Sequence, residues 1–306
     1  MSYQCAVLED GRTSTIGTTG GAVEYDLPNN FAISLIAITM QGDSTTDAAT
    51  LAETLAGMGT IEVITTRGGE IYIEAEDLFA LTGYLNRGDE GVIVKGAAAD
   101  KEFAFTAYLP LGINASKWFT INPITGKTEY YGLAGHLADK LRITWDTDTV
   151  AGADSRQATV QVFGYSGIQP KAYTVYREDS YTPTANQFRT QKISGAGMLR
   201  GVFGFTTTNL NVDSANTVLD VKELEIWVDE KPVLETFTIG LQKGASGVVA
   251  DDPAGGTGVL DDQWFLWDLD PSQVGLGVPI VDNMKVANLG GNASAVRVYP
   301  MVYRYV

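Results

Sequence analysis

Asp139-Lys140-Leu141-Arg142-Ile143, near the middle of the chain, has the same pattern as Asp282-Asn283-Met284-Lys285-Val286 near its end. Each segment begins with an acid, then places two apolar residues two positions apart with a base between them. Alternation of apolar and polar residues is typical of a β-strand with one buried face. A strand that recurs about half a chain length later indicates an internal repeat.

Four more pairs of segments match in the same order along the two halves of the chain. They are Ile61-Glu62-Val63 with Leu224-Glu225-Ile226, Leu85-Asn86-Arg87-Gly88 with Leu241-Gln242-Lys243-Gly244, Asp100, Phe103, Phe105 and Pro110 with Asp261, Trp264, Leu266 and Pro271, and Ala158–Phe163 with Ser294–Tyr299. The five offsets run from 136 to 163 residues in a chain of 306. Coincidence of strand composition is the alternative for any single match. Five matches in order predict a tandem duplication.

The length of the chain supports two domains, because a single hydrophobic core rarely grows to 306 residues. We place the join between Gly164 and Asn186, where glycine and two prolines interrupt the strand pattern. Residues 1–170, with an N-terminal arm, are assigned to the first domain, and residues 171–306 to the second.

Short strands dominate both predicted domains, because most segments are rich in Val, Ile, Thr, Tyr and Phe and are separated by Gly, Asp and Asn turns. The clearest predicted strands are Ile61–Thr65, Glu70–Glu74, Glu102–Tyr108, Lys140–Trp145, Ala158–Tyr165, Val202–Thr207, Leu219–Val228, Val233–Leu241, Trp264–Leu269, Met284–Ala287 and Val296–Tyr305. Hairpin turns are expected at Arg67-Gly68-Gly69 and Asp229-Glu230-Lys231. Capping residues and apolar spacing predict helices at Thr46–Met58 and Glu76–Arg87.

Composition excludes several classes of function. The formal net charge is −16 and the Lys and Arg residues are scattered singly, which disfavours direct contact with nucleic acid or with an anionic membrane. Only 19% of residues are charged, which favours a protein that buries much of its surface against copies of itself. The N-terminus has no signal-peptide pattern, and the apolar stretch Phe31–Met40 is too short to span a membrane, so we expect a soluble protein made in a reducing cytoplasm.

Catalytic chemistry is sparsely represented. Cys5 is the single cysteine, in an N-terminal arm that we expect to be mobile, and it permits neither a disulfide nor a cysteine-based zinc site. His136 is the single histidine, and Gly164-Tyr165-Ser166-Gly167 does not have the spacing of a nucleophile elbow, so we interpret His136 as a structural or surface residue. We therefore expect no catalytic, cofactor-binding or metal-binding residues and no cofactor.

Carboxylate clusters offer two alternatives. Asp146, Asp148 and Asp154 are similar to the start of a calcium loop but depart from its pattern, while Asp251-Asp252 and Asp261-Asp262 are typical of solvated turns. Asp268 and Asp270, beside Trp264 and Trp267, would suit glycoside hydrolysis, but a turn at the end of a strand is the simpler interpretation because Pro271 follows.

Two consecutive β-sandwich domains in one acidic, cysteine-poor chain resemble the double jelly-roll major capsid proteins of tailless icosahedral viruses, many of which contain an internal membrane. The duplicated segments beginning at Leu85 and Leu241, and at Asp139 and Asp282, carry the resemblance, which spans the whole chain. It implies an all-β fold of two tandem jelly-roll sandwiches with one or two short connecting helices, and it carries over no catalytic residue.

The resemblance also implies a function. Three chains would place six similar barrels around one axis, giving a pseudo-hexagonal homotrimer that tiles an icosahedral shell. The expected partners are neighbouring capsid trimers, penton and minor capsid proteins and a membrane beneath the shell, with location in the virion after synthesis in the host cytoplasm. The alternative is a carbohydrate-binding or receptor-binding two-domain β-sandwich of spike or fibre type, which would expose Trp118, Trp264 or Trp267. A glycoside hydrolase is the third hypothesis.

Overall fold

The computed structural model of the chain describes residues 2–7, 14–16, 20–44, 57–85, 93–95, 101–145, 153–182, 188–194, 196–206, 221–238, 264–270, 272–290 and 295–306. The chain divides into two compact units, Met1–Thr174 together with Val306, and Val175–Tyr305. The division falls shortly after the position between residues 170 and 171 where we expect the join. No helix in these ranges has the length and apolar character needed to cross a membrane.

The first unit is built from antiparallel strands with one helix beside them. Its strands are β1 (Ser2–Val7), β2 (Ser14–Ile16), β3 (Gly21–Asp26), β4 (Ala32–Ser44), β5 (Met58–Thr65), β6 (Gly68–Glu74), β7 (Ile93–Lys95), β8 (Lys101–Pro110), β9 (Phe119–Ile121), β10 (Thr128–Tyr130), β11 (Ala138–Trp145) and β12 (Ala153–Ser166). One sheet has the order β1-β12-β4-β8-β7, with β2 on β12, and a second has the order β3-β11-β5-β6. The strands β9 and β10 form a separate two-stranded hairpin.

Alternating apolar residues on the two sheets supply the core of the first unit. Ile36 and Ile38 of β4 and Ile61 and Val63 of β5 are completely buried, whereas Glu62 between the last two is not. The period of two places every second side chain on the buried face, as the sequence pattern predicts. Helix α1 (Ala75–Leu85) confirms the helix predicted at Glu76–Arg87, and it packs against strands of both sheets.

The second unit repeats this design. Its strands are β13 (Ala172–Tyr176), which crosses the division, β14 (Asp179–Tyr181), β15 (Phe188–Ser194), β16 (Gly197–Thr206), β17 (Val221–Val228), β18 (Lys231–Thr238), β19 (Trp264–Asp268), β20 (Val278–Ile280), β21 (Asn283–Gly290) and β22 (Val296–Tyr305). One sheet has the order β13-β22-β16-β19, with β14 on β22 and β20 on β16, and the other has the order β15-β21-β17-β18.

The strand orders of the two units correspond in the central strands of both sheets, whereas β7, on β8, and β20, on β16, have no counterpart among the described strands. In the four-stranded sheets, β11 lies between β3 and β5 as β21 lies between β15 and β17, and the hairpins β5–β6 and β17–β18 follow at the edge. In the larger sheets, β12-β4-β8 corresponds to β22-β16-β19. In four of the five matched segment pairs, the described residues fall mainly on corresponding strands. Asp100, Asp261, Pro271 and Ser294 of these pairs, and most of the fifth pair, which begins at Leu85 and at Leu241, lie outside the described residues.

Two of the matches have the wrong register. When Phe163 is aligned with Tyr299, their partners Leu35 and Phe203 correspond, and these pair in turn with Pro110 and Leu266. Pro110 therefore corresponds to Leu266, five residues before the Pro271 that the sequence match aligns with it.

The second error lies in the match that contains Ile61. Ile61 pairs with Ile143 in the first unit, whereas Ile226 pairs with Val286 in the second. Ile61 therefore corresponds to Ile226, two residues beyond the Leu224 that the sequence match aligns with it. A shift of two residues leaves the same face of the strand buried, so the apolar pattern does not detect it.

Two further expectations change. Ser2–Val7, in the N-terminal arm that we expected to be mobile, forms a strand that pairs along its whole length with residues 161–166, and Cys5 is exposed there as a free thiol. The predicted helix at Thr46–Met58 lies mostly outside the described residues, and Met58 begins β5. All eleven predicted strands overlap strands of the structure, and both predicted hairpin turns are present.

Candidate functional site

The β9–β10 hairpin carries Ile121 and Ile124, the two most exposed large apolar side chains among the described residues of the first unit. Phe119 and Ile121 are 47% and 63% exposed, while Thr120 between them is buried, so the pleat directs both apolar residues outward. Ile124, in the loop that joins the two strands, is 89% exposed. Contiguous exposed apolar surface of this kind marks interaction sites in soluble proteins.

Hydrogen bonds from Asn122 fix the loop of the hairpin. Its Oδ1 accepts the backbone N–H groups of Ile124 at 2.9 Å and Thr125 at 3.0 Å, and its Nδ2 donates to Oε1 of Glu129 at 2.9 Å. Gly126 closes the loop with φ of +67°, a conformation that favours glycine. The loop thus holds Ile124 in a defined, outward position.

A cluster of aromatic rings attaches the hairpin to the body of the unit. The ring of Trp118 stacks on that of Tyr165 in β12 with centroids 4.6 Å apart, and it lies 6.0 Å from Tyr130 and 6.3 Å from Tyr3. Tyr165 is fully buried, its hydroxyl has no hydrogen-bond partner among the described residues, and burial raises its pKa well above the ordinary value. Ring contacts of this type add about 0.5–1.5 kcal/mol each beyond area burial.

An ion pair gives the hairpin a second attachment. Nζ of Lys171 donates to Oε2 of Glu129 at 2.7 Å, with both side chains half-buried. Burial alone raises the pKa of Glu129, but the hydrogen bonds from Lys171 and Asn122 outweigh burial, so its pKa lies below the usual range. The carboxylate therefore remains charged and holds β10 against the segment that follows β12.

His136, the single histidine, lies on the surface of the first unit. It is exposed in a 3₁₀ turn, Gly135–Leu137, and lines a shallow groove of the first unit that Ser166 also borders. The Ser166 hydroxyl lies 2.8 Å from Oγ of Ser2 and accepts a hydrogen bond from Gln4 at 3.4 Å. No hydrogen bond joins His136 to Ser166 in the part of the chain that the structure describes. The position of His136 agrees with its interpretation as a surface residue.

Asp270 closes a loop at the end of β19. Its carboxylate is 2% exposed and accepts the N–H groups of Val274 at 2.9 Å and Gly275 at 2.7 Å, together with the hydroxyl of Tyr303 at 3.2 Å. Oδ1 of Asp268 accepts the N–H of Asp270 at 2.8 Å. Both carboxylates are thus committed to the turn that follows the strand, rather than to an open cleft.

A buried arginine lies beside these carboxylates. Nε of Arg200, which is fully buried, is 3.9 Å from Oδ1 of Asp268, and its guanidinium lies 5.6 Å from the ring centroid of Tyr303. Burial raises the pKa of Asp268, while the guanidinium of Arg200 opposes that rise. The two carboxylates thus offset part of the charge that Arg200 buries inside the second unit.

Asp229 organises a surface loop of the second unit. It lies in the β17–β18 turn with φ of +48°, and its carboxylate accepts the N–H groups of Val281, Asp282 and Asn283 at 2.9, 2.9 and 3.1 Å. These three backbone hydrogen bonds lower the pKa of Asp229. The hydrogen bonds also explain why a residue other than glycine or asparagine occupies a left-handed turn position.

The structure does not describe the side chains of the remaining carboxylate candidates. Asp146, Asp148, Asp251-Asp252 and Asp261-Asp262 lie outside the described residues, and Asp154 is described only as backbone in β12. Within the described ranges no three His, Cys, Asp or Glu side chains cluster closely enough to hold a metal ion.

The tryptophans of the carbohydrate-binding alternative do not form an open platform where they are described. Trp118 is half-buried with its ring stacked on Tyr165, and Trp267 is half-buried in β19. The side chain of Trp264 lies outside the described residues. The sequence gives no strong signal for the β9–β10 hairpin, because each strand has three residues and its aromatic partner Tyr165 is distant along the chain.

Solved structures of viral capsid proteins share this fold over the whole chain. The crystal structure of the major capsid protein of Sulfolobus Turreted Icosahedral Virus is 9% identical with a TM-score of 0.66, covering 100% of this chain and 97% of that one. The major capsid protein P2 of bacteriophage PM2 is 10% identical with a TM-score of 0.57, covering 100% and 98%. A chain of the PBCV-1 virus capsid is 11% identical with a TM-score of 0.54, covering 99% and 93%.

No protein-family model matches the chain, and no curated protein is similar to it in sequence. The structural likeness nevertheless defines the class of fold. The chain is an all-β protein of two tandem jelly rolls, the double jelly roll found in these major capsid proteins. The predicted fold class and the predicted resemblance are both confirmed.

Proposed function

We propose that this chain is the major capsid protein of an icosahedral virus and has a structural rather than a catalytic role. The observation that carries the proposal is the double jelly roll shared at nearly full length with viral capsid proteins that are about one-tenth identical in sequence. The likeness extends over both jelly rolls and nearly the full length of the compared chains, which favours a shared mode of assembly over reuse of a single sandwich.

The proposed assembly unit is a homotrimer with a pseudo-hexagonal outline. The two units share the order of their central strands, so three chains would supply six similar barrels around a threefold axis. Repeated lateral contacts between such trimers tile a closed shell, with penton and minor capsid proteins at positions that the trimer does not fill. The location is then the virion, after synthesis in the host cytoplasm.

Charge agrees with this arrangement. A formal net charge of −16 repels the phosphate backbone of a genome, so the chain is proposed to make no direct contact with nucleic acid. A membrane or inner proteins beneath the shell would separate this chain from the genome. No described residue provides an argument for a cofactor, and Asp268 and Asp270, the carboxylates considered for hydrolysis, serve the turn after β19.

Native mass spectrometry of the purified chain tests the proposed assembly. Three copies of a 32.8 kDa chain give a species of about 98 kDa, which we expect at micromolar concentration. A chain that remains at 32.8 kDa at every concentration, with no shells in particles from its source, would exclude the proposal. Binding on a glycan array that is lost on Trp118→Ala substitution would instead favour the carbohydrate-binding alternative.

A further inference from the structure

The hairpin face, defined as Phe119, Ile121 and Ile124, has more exposed apolar side chain than a soluble monomer is expected to keep in one short segment. Ile124 is 89% and Ile121 63% exposed, although isoleucine is among the residue types most often buried. The three residues occupy one hairpin within six positions of the chain. A cluster of this kind marks a contact surface.

The hairpin also has an open backbone edge along β9. In the sheet pairing of the described residues, β9 hydrogen-bonds to β10 and to no other strand. The outer side of β10 is partly covered, because the N–H of Lys171 donates to the carbonyl oxygen of Tyr130 at 2.7 Å. Exposed strand edges beside apolar side chains invite association with another chain unless a partner covers them. Because the aromatic cluster and the Lys171–Glu129 ion pair fix the hairpin, little conformational entropy is lost when a partner binds.

The net charge of the hairpin, compared with that of the whole chain, indicates the kind of partner. Residues 114–130 contain Lys117 and Lys127 against Glu129 alone, so the hairpin has a net charge of +1 in a chain of −16. Glu129 is already paired with Lys171, and neither Lys117 nor Lys127 forms an ion pair with another described residue. A basic, apolar hairpin on an otherwise acidic protein is complementary to the acidic surface of a second copy of the same chain.

We infer that the hairpin face is the anchor of a contact between copies of this chain, inserting its apolar side chains against an acidic surface of the neighbouring copy. The inference rests on the proposed function, because it assigns a contact surface to the proposed trimer. A stable interface buries about 800 Å² on each partner, more than three side chains provide, so the hairpin acts as the central anchor of a larger surface. An anionic membrane is the less suitable partner, because the rest of the chain repels it.

The test compares the wild type with the double variant Ile121→Ser/Ile124→Ser by sedimentation velocity over a range of concentrations. Serine at these exposed positions removes no core contact, so thermal unfolding is expected to match the wild type. Loss of two buried isoleucine side chains from an interface weakens association by roughly 10²–10⁴-fold. The matched control is Val281→Ser, which truncates a similarly exposed (78%) apolar residue outside the hairpin and is expected to associate like the wild type.

The outcomes separate the two proposals. A wild type that never associates contradicts the proposed assembly itself. Association of the wild type, with equal association of the hairpin variant or equal weakening by Val281→Ser, overturns the hairpin inference alone. Flotation of the wild type with phosphatidylserine vesicles, lost in the hairpin variant while self-association is unchanged, also overturns it. Amide hydrogen exchange that slows across residues 119–124 on association supports it.

Discussion

Substitution of Asp270 is expected to destabilise the second unit selectively. The carboxylate is 2% exposed and accepts three hydrogen bonds, from the N–H groups of Val274 and Gly275 and from the hydroxyl of Tyr303. Hydrogen bonds to a charged group contribute about 1.5–3 kcal/mol each, and losses at one site are not additive. Removal of the carboxylate also deprives buried Arg200 of a nearby negative charge, so Asp270→Ala is expected to cost about 3–5 kcal/mol.

Asp270→Asn keeps one acceptor oxygen and is expected to cost about half as much. For a unit of this size, the alanine variant lowers the unfolding midpoint by roughly 10–20 °C. Peptide-resolved hydrogen exchange measures the stability of each unit separately, whereas a single melting curve does not distinguish them. The control is Asp139→Asn, at an exposed position, for which we expect the free energy of unfolding to change by no more than about 0.5 kcal/mol. Asp270→Ala with a stability equal to that of Asp139→Asn would refute the structural role given to this carboxylate.

Two more perturbations test the first unit. The lowered pKa of Glu129 means that its pairing with Lys171 stabilises the hairpin above pH 4.5, the ordinary glutamate value, and is lost as the pH falls through the lower folded value. Hydrogen exchange of residues 119–130, corrected for intrinsic rates, should therefore rise in the wild type as the pH falls below the ordinary glutamate value, and should rise less in Glu129→Gln. Equal profiles of the two proteins would contradict this. A methyl group on Gly164 would lie 1.9 Å from the carbonyl oxygen of Ala32, so Gly164→Ala is expected to lower the free energy of unfolding in urea by at least about 3 kcal/mol. The control is Gly69→Ala, which we expect to be tolerated because its new contact, at 3.1 Å, is the carboxylate end of a flexible side chain. Equal urea midpoints of the two variants would contradict the close pairing of β4 with β12.

The sequence allowed the buried strands to be predicted because their signal is local. Val160 and Val162 alternate with polar neighbours and lie inward in β12, and Val296 and Val298 do the same in β22. Such alternation requires no knowledge of the partner strand. The duplication was visible for the same reason, since corresponding strands keep the same buried face.

Register and edge pairing depend on contacts between distant segments, and they were not predictable. The alignment of Ile61 with Leu224 rather than Ile226 satisfied the same alternation, and only the pairing with β21 distinguishes the two. Ser2–Val7 has little strand signal of its own, and it is held by β12 more than 150 residues away. Local patterns are insensitive to both effects.

The candidate site was missed for a related reason. Trp118 was singled out from the sequence, but its stacking on Tyr165 joins residues that are remote along the chain. The exposure of Ile121 and Ile124 departs from the usual burial of isoleucine, and a sequence-based prediction assigns such residues to the core. Asp268 and Asp270 were correctly interpreted as parts of a turn at the end of a strand, because Pro271 marks where the strand must stop.

Electron cryomicroscopy of particles that contain this chain tests the central claim most directly. The proposed function predicts an icosahedral shell of pseudo-hexagonal capsomers, each made of three chains whose two jelly rolls form six barrels around the threefold axis. A particle in which the chain forms an isolated spike or fibre, or in which the shell consists of another protein, would contradict the claim.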